Sequence, residues 1–181
     1  MVMYRELLSQ YFEPLKELPC WNVTAEYGSW INLHFGAPHL DIREGNPAST
    51  ARSMNRRVVF VEGEFHLWIE MGAWEMFENG KRVFQSEQSR SYLRRAASRL
   101  NGQKLVKVEL QAQPVATVFG FDEGAQLKIH ATPDAEPDDP LWHIYSAGNC
   151  LSLLASGTCE HGLSNESLRA QVRLETATYA I

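Results

Sequence analysis

The sequence predicts an α+β domain that is mainly antiparallel β, a curved sheet or partly open barrel covered by one or two helices. Most of the chain consists of short runs in which apolar and polar residues alternate, the pattern of half-buried strands. Asn79-Gly80 separates two such runs, and this dipeptide favours the tight turn of a β-hairpin. Two segments, 2–18 and 87–101, instead carry apolar residues at helical spacing. We therefore expect a sheet that makes up most of the domain, with two helices covering it.

The length and composition indicate one domain. A chain of 181 residues has the usual size of a single domain, and 44% hydrophobic with 22% charged residues are ordinary globular proportions. Along the chain we expect an N-terminal helix over 1–19, strands over 20–85 with the hairpin at 78–80, a helix over 86–101, an antiparallel meander over 103–157 and a tail over 163–181 whose structure is left open.

The first predicted element is an amphipathic helix over residues 2–18, with Pro14 as an interior break or kink. From Trp21 the spacing changes to the alternation of strands. Residues 44–55 contain Gly, Pro, Ser and Asn without periodicity, which predicts an exposed loop. The strands expected in this part are WNVTAEY, SWINLHF, HLDIRE and RRVVFVE, separated by turns at Gly28, Gly36, Pro38 and Gly63.

The run EFHLWIEM alternates over its whole length and predicts a half-buried strand. Successive side chains of a strand point to opposite faces of the sheet, so the apolar residues share the core face and the polar ones share the other. The predicted core face carries Phe65, Leu67, Ile69 and Met71, and the opposite face carries Glu64, His66, Trp68 and Glu70.

The second predicted helix, over 87–101, has both of its ends marked in the sequence. Ser86 or Ser89 is suited to cap its start, and Asn101-Gly102 to end it. Residues 132–140 are acidic and proline-rich, which predicts an outward loop. The strands of the meander after this helix are KLVKVELQ, ATVFGF, AQLKIHA, LWHIYS and CLSLLAS.

Charge and cysteine content restrict the classes of partner. A net charge of -5 argues against nucleic-acid binding, which depends on basic side chains that neutralise phosphates. The N-terminal stretch is interrupted by charged residues, so neither a signal-peptide core nor a membrane-spanning helix is predicted. An odd number of cysteines, three, favours reduced thiols over disulfides. These features predict a cytoplasmic protein with no nucleic-acid and no membrane partner.

Three segments carry a resemblance to known proteins: GAWEMFENGKRVFQSEQSRSYLRRAASRLNGQKLVKVEL, ATVFGFDEGAQLKI and LWHIYSAGNCLSLLASG. Over roughly residues 60–157 the chain resembles uncharacterised bacterial β-rich domains of unknown function. These show a Gly-x-Trp hairpin, a helix that ends in Asn/Asp-Gly-Gln, a Phe-Asp-x-Gly turn and a Trp-x-x-Tyr strand. Some of them resemble immunity proteins encoded beside bacterial toxins. The resemblance implies a fold and a toxin as partner, and it implies no active site.

Polar and aromatic residues share one face of several predicted strands. Alternation places Trp30, Asn32 and His34 together on one strand, His66 and Trp68 on another, and Lys128 and His130 on a third. If these faces coincide, they form a surface suited to a general acid/base pocket or a groove for a sugar-like ligand. The alternative, which we favour, is an ordinary solvated sheet face. The candidate ligand-binding residues are Trp30, His34, His66, Trp68 and His130.

Motifs for catalysis, metal binding and cofactor binding are not found. The chain has no Gly-x-Ser-x-Gly, no His-Glu-x-x-His and no phosphate-binding glycine loop. Cys150, Cys159 and His161 contain zinc-ligand groups, but the two cysteines are too far apart in sequence for a structural zinc site. We therefore predict no catalytic residue, no metal and no cofactor.

A row of arginines marks the second predicted helix. Its members lie on the half of the helix opposite the apolar stripe, either as a solvated face, which we favour, or as a docking site for an acidic partner. The overall prediction is a non-enzymatic cytosolic binding module with a protein partner, with a small-molecule-binding or enzymatic His/Glu/Trp pocket as the alternative. Whether the chain forms a homo-oligomer is left open. The candidate partner-binding residues are Arg90, Arg94, Arg95 and Arg99.

Overall fold

The computed structural model describes residues 2–25, 28, 30–45, 55–164, 170–173 and 178–180. Within them two open antiparallel sheets and two helices surround an apolar core, which confirms the predicted fold class. The helices are α1 (Val2–Phe12), followed by a 3-10 turn (Glu13–Leu15), and α2 (Arg90–Leu100). Neither helix is long and apolar enough to cross a membrane.

The first sheet has seven strands in the order β1-β2-β3-β9-β10-β11-β12. Its strands are β1 (Trp21–Ala25), β2 (Ile31–Arg43), β3 (Val58–Ile69), β9 (Pro140–Ser146), β10 (Asn149–Leu154), β11 (Thr158–Leu163) and β12 (Ala170–Arg173).

The second sheet has six strands in the order β13-β6-β7-β8-β4-β5. Its strands are β4 (Ala73–Glu78), β5 (Lys81–Gln85), β6 (Leu105–Ala112), β7 (Val115–Phe121), β8 (Ala125–His130) and β13 (Thr178–Ala180). The hairpin β4-β5 turns at Asn79-Gly80, whose φ angles of 51° and 76° are those of the tight turn expected from the sequence.

The predicted meander over 103–157 is divided between the two sheets. Strands β6, β7 and β8 follow one another in the second sheet, but β9 and β10 belong to the first. The acidic, proline-rich segment 131–139 makes the crossing. Its composition predicts a loop but does not say which sheet the next strand joins, because pairing with β3 is a long-range contact.

Two turns expected from the sequence are absent, because β2 and β3 run through Gly36 and Gly63. Pairing continues from Ile31↔Ile69 to Arg43↔Val58, with a bulge between Phe35 and Pro38. A Cβ on Gly63 would lie 2.6 Å from the carbonyl oxygen of Phe35, so the missing side chain permits the close approach of the two backbones. Residues 46–54 of the loop predicted over 44–55 lie outside the described residues.

The helices close the space between the sheets. In α1 the buried Phe12 ring packs against both sheets. Its centroid lies 5.7 Å from that of Phe119 in the second sheet and 5.6 Å from that of Trp142 in the first. Helix α2 contacts β1 and β5, which are edge strands of the first and second sheets. Its apolar stripe therefore seals one open side of the core. The buried residues of α2 are Leu93, Ala96, Ala97 and Leu100.

Candidate functional site

The outer face of the first sheet forms an open groove. In β2 and β3 the core residues alternate with side chains that point away from the core, as the sequence predicts. These outward side chains of β1, β2 and β3, together with the turn between β9 and β10, enclose about 1340 Å³. The described residues that border this volume and that sequence analysis had singled out are Trp30, His34, His66 and Trp68.

Four rings cross the floor of the groove from strand to strand, and we call them the ring row: Trp21, His34, His66 and Tyr145. Strand register places each ring opposite the next, with Trp21↔His34, His34↔His66 and His66↔Tyr145 as partners. The ring centroids lie 5.3, 4.4 and 5.7 Å apart, and the two imidazoles are nearly parallel, at 14°. Trp21, His34 and His66 are therefore stacked face to face, whereas the Tyr145 ring is tilted against His66.

Hydrogen bonds fix how the two imidazoles carry their protons. The backbone N–H of Gly63 donates to His34 Nδ1 at 3.1 Å, so the neutral His34 ring carries its hydrogen on Nε2. His66 Nε2 lies 2.9 Å from Asn32 Oδ1, an acceptor, so His66 donates from Nε2 and keeps a lone pair on Nδ1. The pair thus offers one donor, His34 Nε2, and one acceptor, His66 Nδ1.

Burial keeps both imidazoles uncharged. Loss of hydration on burial, with a further contribution from His39, lowers the pKa of His34. For His66 burial and then the neighbouring His34, Arg43 and His143 lower the pKa to about 3. Near neutral pH the floor of the groove is therefore polar but carries no positive charge on these rings.

A second row runs beside the first along Trp30, Trp68 and His143. Trp30 is 44% exposed at the rim and meets Trp68 edge-on, with ring centroids 5.9 Å apart. His143 joins a carboxylate and a hydroxyl: its Nε2 lies 2.8 Å from Glu70 Oε2 and its Nδ1 lies 2.6 Å from Ser152 Oγ. This array resembles a nucleophile with its base and orienting acid. However, Ser152 is only 1% exposed, so its oxygen is closed to a substrate.

One end of the groove is formed by the arm, the part of the β2-β3 pair in which His39–Arg43 is paired with Val58–Glu62. Strand β1 pairs with β2 only over Ile31–His34 and β9 pairs with β3 only from Phe65. In the described part of the chain both edges of the arm therefore lack a neighbouring strand.

Charged groups on the groove side of the arm pair with one another. The Arg43 side chain reaches Asp41 Oδ2 at 2.7 Å and Glu62 Oε1 at 3.3 Å. Its guanidinium also lies over the Phe60 ring, 4.7 Å from the centroid. This arginine therefore pairs with both carboxylates beside it, and the three side chains together keep one negative charge.

The candidate His130 does not belong to the groove. It lies in β8 of the second sheet and alternates with the buried Leu127 and Ile129, so its side chain is on the outer face of that sheet. Its Nδ1 is 3.1 Å from the carbonyl oxygen of Ala131. Alternation fixes the face of a side chain within its own sheet, but it does not say which sheet the strand joins.

Sequence reasoning missed two members of the ring row, Trp21 and Tyr145. The Trp21 indole donates from Nε1 to the carbonyl of Gly36 at 2.9 Å and lines the groove. The signal for Tyr145 was present in LWHIYS, because alternation from the buried Trp142 and Ile144 places His143 and Tyr145 on the other face.

The arginines of α2 form a separate, exposed surface. Arg99 approaches Glu78 at 3.8 Å, and the Arg95 guanidinium lies 5.5 Å from the centroid of the Tyr92 ring. None of the four borders the groove. The candidate residues Arg90, Arg94, Arg95 and Arg99 are all exposed.

The cysteines are buried within the protein. Cys20, Cys150 and Cys159 are all buried, and burial raises the pKa of Cys20 to about 11. Cys150 pairs with Tyr145 on the outer face, whereas Cys159 pairs with Leu153 on the core face, so their side chains point apart. Among the described residues no group of three His, Cys, Asp or Glu side chains is placed to hold a metal.

Comparisons of the chain with protein-family models, with curated protein sequences and with solved structures found no match. The residues of the groove are therefore the basis for inferring a function.

Proposed function

We propose that this chain is a non-enzymatic binding module that holds an extended segment of a protein partner in the groove. The size and openness of the groove carry this proposal. Small-molecule sites are concave pockets of roughly 300–1,000 Å³ that enclose most of the ligand. The groove encloses about 1340 Å³, is open to solvent and runs across three neighbouring strands onto the arm.

The hydrogen-bonding groups of the ring row suit a polypeptide. A peptide unit carries one acceptor, its carbonyl oxygen, and one donor, its N–H. His34 Nε2 and His66 Nδ1 provide the matching donor and acceptor. Stacking of a sugar is less well supported, because the rings of the ring row already cover one another's faces.

Two observations support binding rather than catalysis. A general base works best with a pKa near the working pH, whereas the pKa of His66 is about 3. The hydroxyl of Ser152, which has the partners a nucleophile needs, is buried. Both candidate catalytic groups are thus unsuited to turnover at neutral pH.

We further propose that the partner is met in the cytoplasm and is a bacterial toxin. The odd number of cysteines, three, favours a reducing compartment. The toxin is suggested by the resemblance of residues 60–157 to immunity-like proteins.

Site-specific photocrosslinking tests where the partner binds. Benzoylphenylalanine is placed at His39 in β2 or at Asn149 at the start of β10, two exposed residues that line the groove, and at Ser98 on α2 as the matched control. After irradiation in cells of the source organism, we expect the same partner adduct from both groove positions and none from Ser98. Adducts from Ser98 alone would assign the contact to the arginine face of α2 and contradict the proposal.

A further inference from the structure

The groove carries an excess of negative charge. Among the described residues that line it, the carboxylates are those of Asp41, Glu62 and Glu64, and the guanidinium is that of Arg43. His34 and His66 add no positive charge, because both are held neutral at pH 7.

Glu64 is the carboxylate left without a cation. Arg43 is committed to Asp41 and Glu62, and no described residue forms an ion pair with Glu64, which is exposed. An unpaired carboxylate in a binding groove attracts a basic group of the ligand.

The β2-β3 pair leaves space for the Glu64 side chain. Glu64 lies opposite the bulge in β2, where a Cβ on Gly36 would be 2.8 Å from Glu64 Oε2 and 2.9 Å from Glu64 Cβ. The missing side chain of Gly36 therefore makes room for the carboxylate. The Trp21 indole is bonded to the carbonyl of the same glycine at 2.9 Å, so an aromatic ring lies close by. A carboxylate beside an indole is a suitable site for a guanidinium or an ammonium group.

A second, independent observation points to a ligand. His34 is only 6% exposed, yet its Nε2 hydrogen has no partner among the described residues. His34 Nε2 is not one of the described buried side-chain atoms that lack a partner, so this hydrogen is accessible from the groove, where the ring lies between Trp21 and His66. A carbonyl oxygen of a bound chain would satisfy it.

We propose that the groove recognises a basic side chain, Lys or Arg, in the extended segment of the partner. Glu64 is the counter-ion, Trp21 is the adjacent aromatic wall, and His34 holds a carbonyl oxygen of the segment. This inference rests on the proposed function, since it names the chemistry of the segment that the groove accepts.

Selection from a phage-displayed library of random dodecamer peptides on the immobilised protein provides the probe. Peptides that wild type enriches are labelled, and their affinity is measured by fluorescence anisotropy for wild type, Glu64→Gln, Glu64→Lys and Glu123→Lys. Glu123 is an exposed residue of the β7-β8 turn outside the groove, so its variant controls for the same change in net charge. Circular dichroism checks that each variant folds.

We expect the enriched peptides to share a Lys or Arg. Loss of a charge-assisted contact should weaken their binding by about tenfold in Glu64→Gln and further in Glu64→Lys. Glu123→Lys should stay within about twofold of wild type, because an exposed charge far from the site contributes little.

The possible failures are distinguishable. Enriched peptides without a basic residue, or equal losses in Glu64→Lys and Glu123→Lys, would overturn the basic-side-chain inference while leaving peptide binding in the groove intact. Trp30→Ala changes the exposed rim of the groove and is measured with the same peptides. If Trp30→Ala and both Glu64 variants bind as wild type does, the groove is not the binding surface and the proposed function fails as well.

Discussion

At the scale of single residues, His66 is the most constrained group in the groove. It stacks on His34, lies 5.7 Å from Tyr145 and donates to Asn32, so its neutral form is held from three sides. Burial is the main cause of its low pKa, with neighbouring groups adding to it. Protonation of this ring therefore destabilises the folded protein.

The low pKa of His66 predicts that the folded protein becomes less stable as the pH falls. The folded pKa of His66 is about 3 and its ordinary value is 6.5, so between these pH values the unfolded chain binds more protons. The free energy of unfolding should fall as pH drops from 6.5 toward 3, by about 1 kcal/mol per pH unit from this group. Urea titrations at several pH values should show a shallower decline in His66→Gln. His130→Gln is the control, and equal slopes in wild type and His66→Gln would contradict the prediction.

Residue patterns predicted the face of the sheet on which some of the groove residues lie. Alternation placed His34, His66, Trp30 and Trp68 on outward faces, because the two-residue period of a strand is local. It failed for Met71, predicted on the core face but exposed, because β3 ends at Ile69. Where a strand stops depends on its neighbours, which the run EFHLWIEM does not contain.

At the scale of elements, the long β2-β3 pair determines the shape of the groove. Gly36 and Gly63 look like turn residues in the sequence, yet they lie inside continuous strands. At each glycine the partner strand comes too close for a Cβ atom. These glycines therefore allow the two strands to pack closely, and they do not reverse the chain.

Gly63→Ala tests this role. The added Cβ would lie 2.6 Å from the carbonyl oxygen and 2.9 Å from the amide nitrogen of Phe35, and backbone atoms cannot yield easily. We expect the free energy of unfolding to fall by about 1–3 kcal/mol. The control is Gly120→Ala, where the nearest atom is the Cβ of Lys107 at 3.3 Å and the cost should be smaller. Equal midpoints of denaturant unfolding for the two variants would show that the close approach of the strands at Gly63 does not matter for stability.

At the scale of the whole molecule, one buried hydrogen bond joins the two sheets. Trp142 of β9 donates from Nε1 to Thr117 Oγ1 of β7 at 2.8 Å, and both residues are fully buried. Together with α2, which spans β1 and β5, this bond ties the sheets at the centre and at one side. The sequence contains both side chains but no local sign that they meet.

A double-mutant cycle measures this link. Thr117→Val keeps the shape of the side chain but leaves the indole N–H unpaired in the core, which should cost about 1–3 kcal/mol of unfolding free energy. Trp142→Phe removes the donor. If the bond joins the sheets as described, the double variant should be more stable than the sum of the single losses predicts. Strict additivity in urea melts would refute the coupling.

The division into two sheets marks the limit of prediction at this scale. The hairpin at Asn79-Gly80 and the two helices are specified locally and were predicted, whereas β2 and β3 were each predicted as two separate strands. The crossing at 131–139 was not, since the choice of neighbour for β9 depends on contacts with β3 far away in the chain. For the same reason His130 was grouped with His34 and His66, although it lies in the other sheet.

The five tryptophans are placed so that the intrinsic fluorescence of the protein can report binding in the groove. Trp74 and Trp142 are sealed in the core, whereas Trp21, Trp30 and Trp68 border the groove, two of them against imidazoles at 5.3 and 5.5 Å. An occupant that changes the polarity around the outer indoles alters their emission and leaves the inner pair as a constant reference. The fluorescence of the unlabelled protein can therefore be used to measure how much of the groove is occupied.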